Sequence, residues 1–341
     1  MIKLENIVRP NILELQPYSS ARDEFSGKEG VFLDANESPF GELNRYPDPY
    51  QKDLKQRLAE LKKVDTNNIF VGNGSDEVID LAFRIFCNPG LDKALSFSPT
   101  YGMYDVSAAI NNVELLKLPL NQGFQINLEK VKPYLTDSSI KLIFICSPNN
   151  PTGNLMNKSD IEFVLSNFNG IVIIDEAYID FTKGESLIGL INQYNNLIVS
   201  QTFSKAWGLA AARVGLAYAN KEIITFYNKV KPPYNVSDLN QKAALKALDN
   251  ISSYQNNLDI IITEKEKLKT DLEQLNLIKE IHPSDANFLL IEVENADDIY
   301  AILVNQQIIT RNRNKQVPNC IRISVGAPEE KRLIKALKNI Q

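Results

Sequence analysis

The stretch Ser200-Gln201-Thr202-Phe203-Ser204-Lys205-Ala206-Trp207-Gly208-Leu209-Ala210-Ala211-Ala212-Arg213-Val214-Gly215 sets one lysine among small, hydroxyl-bearing and apolar neighbours. A lone lysine is ordinarily a solvated surface group. In surroundings like these, desolvation lowers the pKa of the amine and favours its neutral, nucleophilic form. Thr202, Ser204 and Arg213 add anion ligands around Lys205, and Arg213 brings charge-assisted hydrogen bonds.

Upstream, Ile171-Val172-Ile173-Ile174-Asp175-Glu176-Ala177-Tyr178 places an acid abruptly after four β-branched residues. Asp175 reads either as the cap of the next segment or as a partly buried carboxylate. In the second role it can keep a pyridinium nitrogen protonated, which makes the ring an electron sink. Cys146-Ser147-Pro148-Asn149-Asn150-Pro151-Thr152-Gly153 also follows an apolar run. Its prolines and glycine make a rigid loop that can fix the Asn150 amide as a donor, although by itself it is equally a turn. In Val71-Gly72-Asn73-Gly74-Ser75-Asp76-Glu77, two glycines precede a serine able to N-cap the following helix. Exposed N–H groups and the helix dipole make such a terminus a seat for phosphate, and alone the string is no more than a turn and a cap.

Short apolar runs at 94–97, 142–146, 171–174, 197–201 and 215–219 alternate with helical or loop segments, as strands covered on both faces do. Sites in such sheets gather at the carboxyl ends of the strands. Leu54, Leu58 and Leu61 at helical spacing predict an amphipathic helix over 50–61, and Val78, Ile79, Ala82, Phe83 and Phe86 predict another. Residues 8–49 read as irregular, rich in Pro, Asn and Ser. Residues 236–277 read as long and helical. Beyond them, 287–293 and 321–325 read as strands, and 297–306 and 329–340 as helices. The expectation is an α/β protein. An N-terminal arm (1–45) leads into a large domain (46–240) with a mostly parallel mixed sheet between helices, and a small α+β C-terminal domain (241–341) follows.

Composition narrows the chemistry. With 341 residues, 44% hydrophobic and 23% charged, the chain suits one large and one smaller globular unit. A net charge of −5 gives no basic field to recruit nucleic acid, so an anionic substrate must be held by local arginines. Cys87, Cys146 and Cys320 lie far apart without a CxxC pair, which leaves a zinc or redox motif unsupported. His282 is the single histidine, so a two-histidine metal site is impossible and no metal is expected. Residues 1–15 lack a signal-peptide core, and no stretch approaches the roughly 18 apolar residues of a membrane span. A cytoplasmic protein is expected.

Together the four motifs resemble the fold-type I pyridoxal-phosphate (PLP) aminotransferases, class II subgroup, across nearly the whole chain. The resemblance implies that Lys205 is the Schiff-base lysine and that Asp175 pairs with the pyridine nitrogen. It implies that Asn150 and Tyr178 bond the ring's 3-oxygen and that Tyr101 stacks on the ring. Ser75, Asp76 and Glu77, with Thr202, Ser204 and Arg213, would line the phosphate seat.

Three further segments are similar to the histidinol-phosphate aminotransferase family: residues 17–22, Leu33-Asp34-Ala35-Asn36-Glu37-Ser38-Pro39 and Arg45-Tyr46-Pro47-Asp48-Pro49. The likeness implies a homodimer with shared active sites, in which Tyr46 reaches the partner's cofactor phosphate and Tyr18 and Asn36 lie on the substrate side. Arg322 and Arg311 would hold the substrate phosphate, and Arg322 the carboxylate of 2-oxoglutarate or glutamate. Arg311 and Arg313 read otherwise as a solvated basic loop. The implied reaction is ping-pong transamination of histidinol phosphate. The same fold also serves aromatic aminotransferases and threonine-phosphate decarboxylases.

Overall fold

The structure is a computed structural model, and it describes residues 3–19, 30–326 and 330–340. Ser20, Ala21 and Arg22 of the first arm segment, and Glu329 at the start of the last expected helix, lie outside the described residues. In chain order the elements are α1 (Pro10–Glu14), α2 (Lys52–Lys62), β1 (Ile69–Asn73), α3 (Ser75–Phe86), β2 (Lys93–Ser98), α4 (Met103–Ile110), β3 (Glu114–Pro119), α5 (Leu128–Val131), β4 (Ile140–Cys146), α6 (Lys158–Asn167), β5 (Ile171–Asp175), β6 (Leu197–Thr202), β7 (Val214–Ala219), α7 (Lys221–Val230), α8 (Asp238–Asp249) and α9 (Ile251–Glu273). Then follow β8 (Ile278–Ile281), β9 (Phe288–Val293), α10 (Ala296–Asn305), β10 (Arg311–Asn312), β11 (Cys320–Ser324) and α11 (Glu330–Lys338).

Seven strands form one sheet in the order β1-β7-β6-β5-β4-β2-β3. Only β7 runs against its neighbours; the other pairings are parallel. The continuous apolar runs explain the position of β4, β5 and β6 at the centre. Successive side chains point to opposite faces, so a strand buried on both faces needs an apolar residue at every position. Ile143, Val172, Ile174 and Val199 pack with Leu54 and Leu58 of α2, Ile161 and Val164 of α6, and Ala244 and Leu248 of α8. On the other face Phe144, Ile171, Ile173 and Ile198 meet Val78 and Phe83 of α3, Tyr104 of α4 and Tyr227 of α7. Burying each such side chain contributes on the order of 1.5–3 kcal/mol.

The second sheet, β10-β11-β9-β8, is antiparallel throughout. Its core joins Leu289 and Ile291 to Leu268 and Leu272 of α9, Ile299 of α10 and Leu333 of α11. The expected division at residue 240 falls near the start of α8, whose apolar side chains pack with the large sheet. The first helix in the core of the small sheet is α9. The long helical stretch expected over 236–277 is two helices meeting at Asn250. The arm is also less free than its composition implies. Leu4, Ile7, Val8 and Ile12 pack into the second core, and the Arg9 amide donates to the Ile85 carbonyl at 3.0 Å. Four strands not anticipated from the sequence, β1, β3, β8 and β10, complete the two sheets.

The topology explains where the motifs go. Strands β1, β4, β5 and β6 point the same way, so Asn73, Cys146, Asp175 and Thr202 all end at one edge. There, ligand-binding groups collect.

Candidate active site

At that edge the four motifs close on one cleft. Ser75, Asp76, Tyr101, Asn150, Asp175, Tyr178, Thr202, Ser204, Lys205 and Arg213 line it, together with Cys146 and Ala177. Lys205 lies in the turn after β6, where the Gly208 amide donates to its carbonyl at 3.0 Å. Its side chain is exposed to the cleft and its Nζ stands 5.5 Å from the Tyr178 ring centre. The surrounding protein nonetheless lowers its pKa, first by desolvation and then through the positive charge of Arg322.

Asp175 ends β5 and is 3% exposed. Its Oδ2 accepts from the Tyr104 hydroxyl at 2.9 Å, and its Oδ1 from the Ala177 amide at 3.2 Å. Burial pushes its carboxyl pKa up, and the Tyr104 bond opposes that rise. Tyr104 was not singled out from the sequence. It is fully buried on α4 and stacks on Phe144 at 4.8 Å. Tyr104 lies only three residues beyond Tyr101, and only the packing shows which tyrosine reaches the acid.

Asn150 is buried, and its Oδ1 accepts from Arg322 Nη1 at 2.5 Å. Its amide nitrogen is the group left to donate into the cleft. The loop is clasped from the small sheet: the Asp285 amide donates to the Gly153 carbonyl at 2.8 Å, and the Leu155 amide donates to Asp285 Oδ2 at 2.9 Å. Arg322 itself lies over the Phe288 ring at 5.1 Å.

The phosphate-type donors meet at the start of α3. Ser75 is the first helical residue and Gly74 the N-cap, so the expected serine cap is corrected. The cap needs glycine, with φ +82°, because a Cβ there would lie 2.5 Å from Arg213 Nη2. Arg213 Nη2 donates to Asp76 Oδ2 at 3.3 Å and Nη1 to Ser204 Oγ at 3.5 Å. The Tyr101 hydroxyl donates to Asp76 Oδ1 at 3.1 Å. Asp76 therefore orients Arg213 and Tyr101.

Several expected residues are not brought to this cleft. Glu77 turns away, accepting from the Asn73 amide at 2.5 Å and from Asn235 Nδ2 at 2.8 Å, so it braces the glycine loop. Tyr46 stacks on Tyr234 at 4.4 Å, and Asn36 lines the same neighbouring depression. Tyr18 is 69% exposed beside Lys231 and Tyr234. Arg311 is exposed on β10, directly opposite Arg322 on β11. Arg313, expected on a solvated loop, is half-buried beside Arg322, Arg311 and Tyr178. Among the described residues, one grouping of metal-type ligands occurs, Glu280, His282 and Glu292 on the small sheet, and none of the three lines the cleft.

The donor set suits a flat, anionic aromatic aldehyde. A buried acid sits where a ring nitrogen could be protonated, an amide and a phenol can meet a ring oxygen, and an arginine with hydroxyls at a helix start can hold a phosphate. An amine of lowered pKa is placed to bond the aldehyde carbon.

Comparison with known proteins agrees with this chemistry. The family described as "Aminotransferase class I and II" matches residues 27–340. The chain is 48% identical to a histidinol-phosphate aminotransferase of Cytophaga hutchinsonii, over 98% of both chains. Among solved structures it is similar to the histidinol-phosphate aminotransferase of Clostridium acetobutylicum, with a TM-score of 0.80 at 26% identity over 87% of this chain and 91% of that one. The fold is also that of the Sinorhizobium meliloti histidinol-phosphate aminotransferase solved with pyridoxal-5'-phosphate, with a TM-score of 0.78 at 20% identity over 98% of each chain.

Proposed function

The chain belongs to the class I and II aminotransferases, and on that premise we propose that it transfers the amino group of L-histidinol phosphate to 2-oxoglutarate in histidine biosynthesis. The products are imidazole-acetol phosphate and L-glutamate, and PLP is the cofactor. The observation that carries the substrate is the 48% identity over essentially the full length of a histidinol-phosphate aminotransferase. It favours this reaction over aromatic transamination or threonine-phosphate decarboxylation on the same fold.

When bound, PLP supplies an electron sink for the charge that develops at the substrate α-carbon. The chain's own residues do the rest. Lys205 Nζ would hold the cofactor covalently, and its free amine would serve as the general base at the substrate α-carbon. Asp175 keeps the ring nitrogen protonated, and Tyr104 positions Asp175. Asn150 Nδ2 and the Tyr178 hydroxyl would bond the ring 3-oxygen, and Tyr101 would cover the ring face. The Ser75 end of α3, Thr202, Ser204 and Arg213 hold the phosphate. Asp76 serves there through Arg213 and Tyr101, since a carboxylate facing a phosphate would repel it.

In this proposal the arm residues Tyr18, Asn36 and Tyr46 serve the cleft of a second copy of the chain. Val31, Leu33, Phe40 and Leu43 are 64–89% exposed along the arm. Large apolar side chains exposed to that extent within one segment are expected to be covered. A homodimer would cover them and let Tyr46, Tyr18 and Asn36 serve the partner's site. The three free cysteines fit a reducing cytoplasm. None of the described helices is long and apolar enough to cross a membrane. We also divide the chain into an arm (1–45), a PLP-binding domain and a small C-terminal domain, with the boundary at Asn250 rather than at residue 240, because α8 packs with the large sheet.

Each half-reaction can be followed alone by single turnover. Arg322→Ala is expected to slow both the histidinol phosphate and the 2-oxoglutarate half-reactions by roughly 10²-fold or more, the scale for removing one partner of a desolvated charge pair. Arg311→Ala should slow mainly the phosphorylated substrate. Equal losses for the two substrates in Arg311→Ala would contradict this division.

A further inference from the structure

We infer that Arg313 is a specificity-determining residue of the substrate site: together with Arg311 and Arg322 it forms a seat of three guanidinium groups that selects a doubly charged phosphate monoester over a carboxylate. The inference rests on the substrate reading above and extends it to a residue that the sequence left on a solvated loop.

The register places the three arginines together. Arg311 is directly opposite Arg322 across the β10–β11 pair. The Arg313 amide then donates to the Cys320 carbonyl at 2.9 Å, which carries the same pairing one step further. Alternate side chains share a face of an extended chain, so 311 and 313 turn to the face that carries Arg322. The intervening residues are held elsewhere. Asp297 accepts from Asn312 Nδ2 at 2.6 Å and from Asn314 Nδ2 at 2.8 Å. The Asn314 amide donates to Asn312 Oδ1, and the Asn319 amide to Asn314 Oδ1, both at 2.8 Å. One aspartate and two asparagines thus lock the segment in the orientation that presents both arginines together.

The arginines have no counter-charge among the described residues. Among the described residues no carboxylate pairs with Arg311, Arg313 or Arg322. The Nε atoms of Arg313 and Arg322 are sealed from solvent and have no hydrogen-bond partner. Like charges directly opposed across strands are destabilising. Desolvation, then Arg322 and Arg311, push the Arg313 pKa down to about 10, so the group is still protonated at neutral pH but held at a cost. Arg313 and Arg322 both act on Tyr178, which walls the cleft. The unbalanced positive charge therefore faces the site.

Chemistry names the ligand class. A carboxylate carries one charge and two oxygens, which the planar fork of Arg322 satisfies alone. A phosphate monoester near neutral pH carries close to two charges on three oxygens. Two further guanidiniums match that excess. The 2-oxo acid would rely on Arg322, and the phosphorylated amino donor on all three.

The test uses the PLP-loaded enzyme and compares wild type with Arg313→Gln and Arg313→Lys. Three quantities are measured: kcat/KM for histidinol phosphate relative to unphosphorylated histidinol, the rate of the 2-oxoglutarate half-reaction, and the inhibition constant of inorganic phosphate. Arg313→Gln is expected to lower the phosphorylated-to-unphosphorylated ratio by roughly 10- to 100-fold and to weaken inorganic phosphate comparably, leaving the 2-oxoglutarate step within about threefold. Arg313→Lys should restore part of the ratio, because it keeps the charge and loses the fork. An unchanged ratio, or equal losses for phosphate and carboxylate ligands, overturns the inference. If wild type fails to turn over histidinol phosphate, the proposed function falls; the inorganic phosphate constant then still decides Arg313, and an unchanged value in Arg313→Gln overturns its role.

Discussion

Lys205→Ala abolishes transamination and removes the visible absorbance band of the lysine-bound cofactor. Two losses combine in that one substitution. The covalent hold on the cofactor disappears, and so does the amine that would take the α-proton. General base catalysis alone is worth roughly 10²–10⁴-fold, so activity should fall at least by that factor. The fold should survive, because the side chain is exposed and makes no hydrogen bond on which the turn depends; the Gly208 bond uses the Lys205 carbonyl. Absorbance spectra of the purified variant with added PLP, beside a single-turnover assay, check both losses. A persisting lysine-type band would remove Lys205 from its assigned role. The lowered pKa of Lys205 also gives a pH signature. A depressed amine pKa keeps the neutral, basic form populated to lower pH than an ordinary lysine, so the acid limb of the half-reaction should lie below the usual lysine range.

Asp175→Asn should leave the visible band in place and slow both half-reactions by roughly 10²–10³-fold, the 2.7–4 kcal/mol typical of losing one preorganised electrostatic group. The reason lies in the local geometry. Burial alone favours a neutral carboxyl at this position, and a protonated ring nitrogen would be the charge that restores the carboxylate. Asparagine keeps the shape and an acceptor for the Tyr104 hydroxyl, yet it cannot balance a pyridinium. Cofactor binding and catalysis should thus separate. A variant with wild-type rates would show that ring protonation does not depend on Asp175.

The sequence revealed the central sheet better than its edges, for a physical reason. β4 and β5 are buried on both faces, so nearly every residue must be apolar and the run announces itself. β3, at the far edge of the sheet, has one buried residue, Leu118, and contains the exposed Glu114 and Lys117. β1 is three apolar residues followed by Gly72 and Asn73, which read as a turn. The cleft residues were legible because each follows a strand that could be recognised. Tyr104 and Arg313 were not, since their relevance depends on packing and on cross-strand register. Glu77 shows the opposite error: it sits in the right motif, and its carboxylate serves the loop rather than the cleft. Tyr18, Asn36 and Tyr46 stand away from the cleft of their own chain, Tyr46 stacked on Tyr234 and Tyr18 exposed beside Lys231, so the fold of one chain does not display the roles that the arm motifs imply.

The substrate assignment is tested most directly by kcat/KM for histidinol phosphate, phenylalanine and threonine phosphate, each with 2-oxoglutarate and the PLP-loaded enzyme. Histidinol phosphate should exceed phenylalanine by at least roughly 10²-fold, since the loss of a charged phosphate contact to arginine is worth that much. Threonine phosphate should be a poor amino donor and release no carbon dioxide. Comparable values for all three would contradict a dedicated histidinol-phosphate aminotransferase.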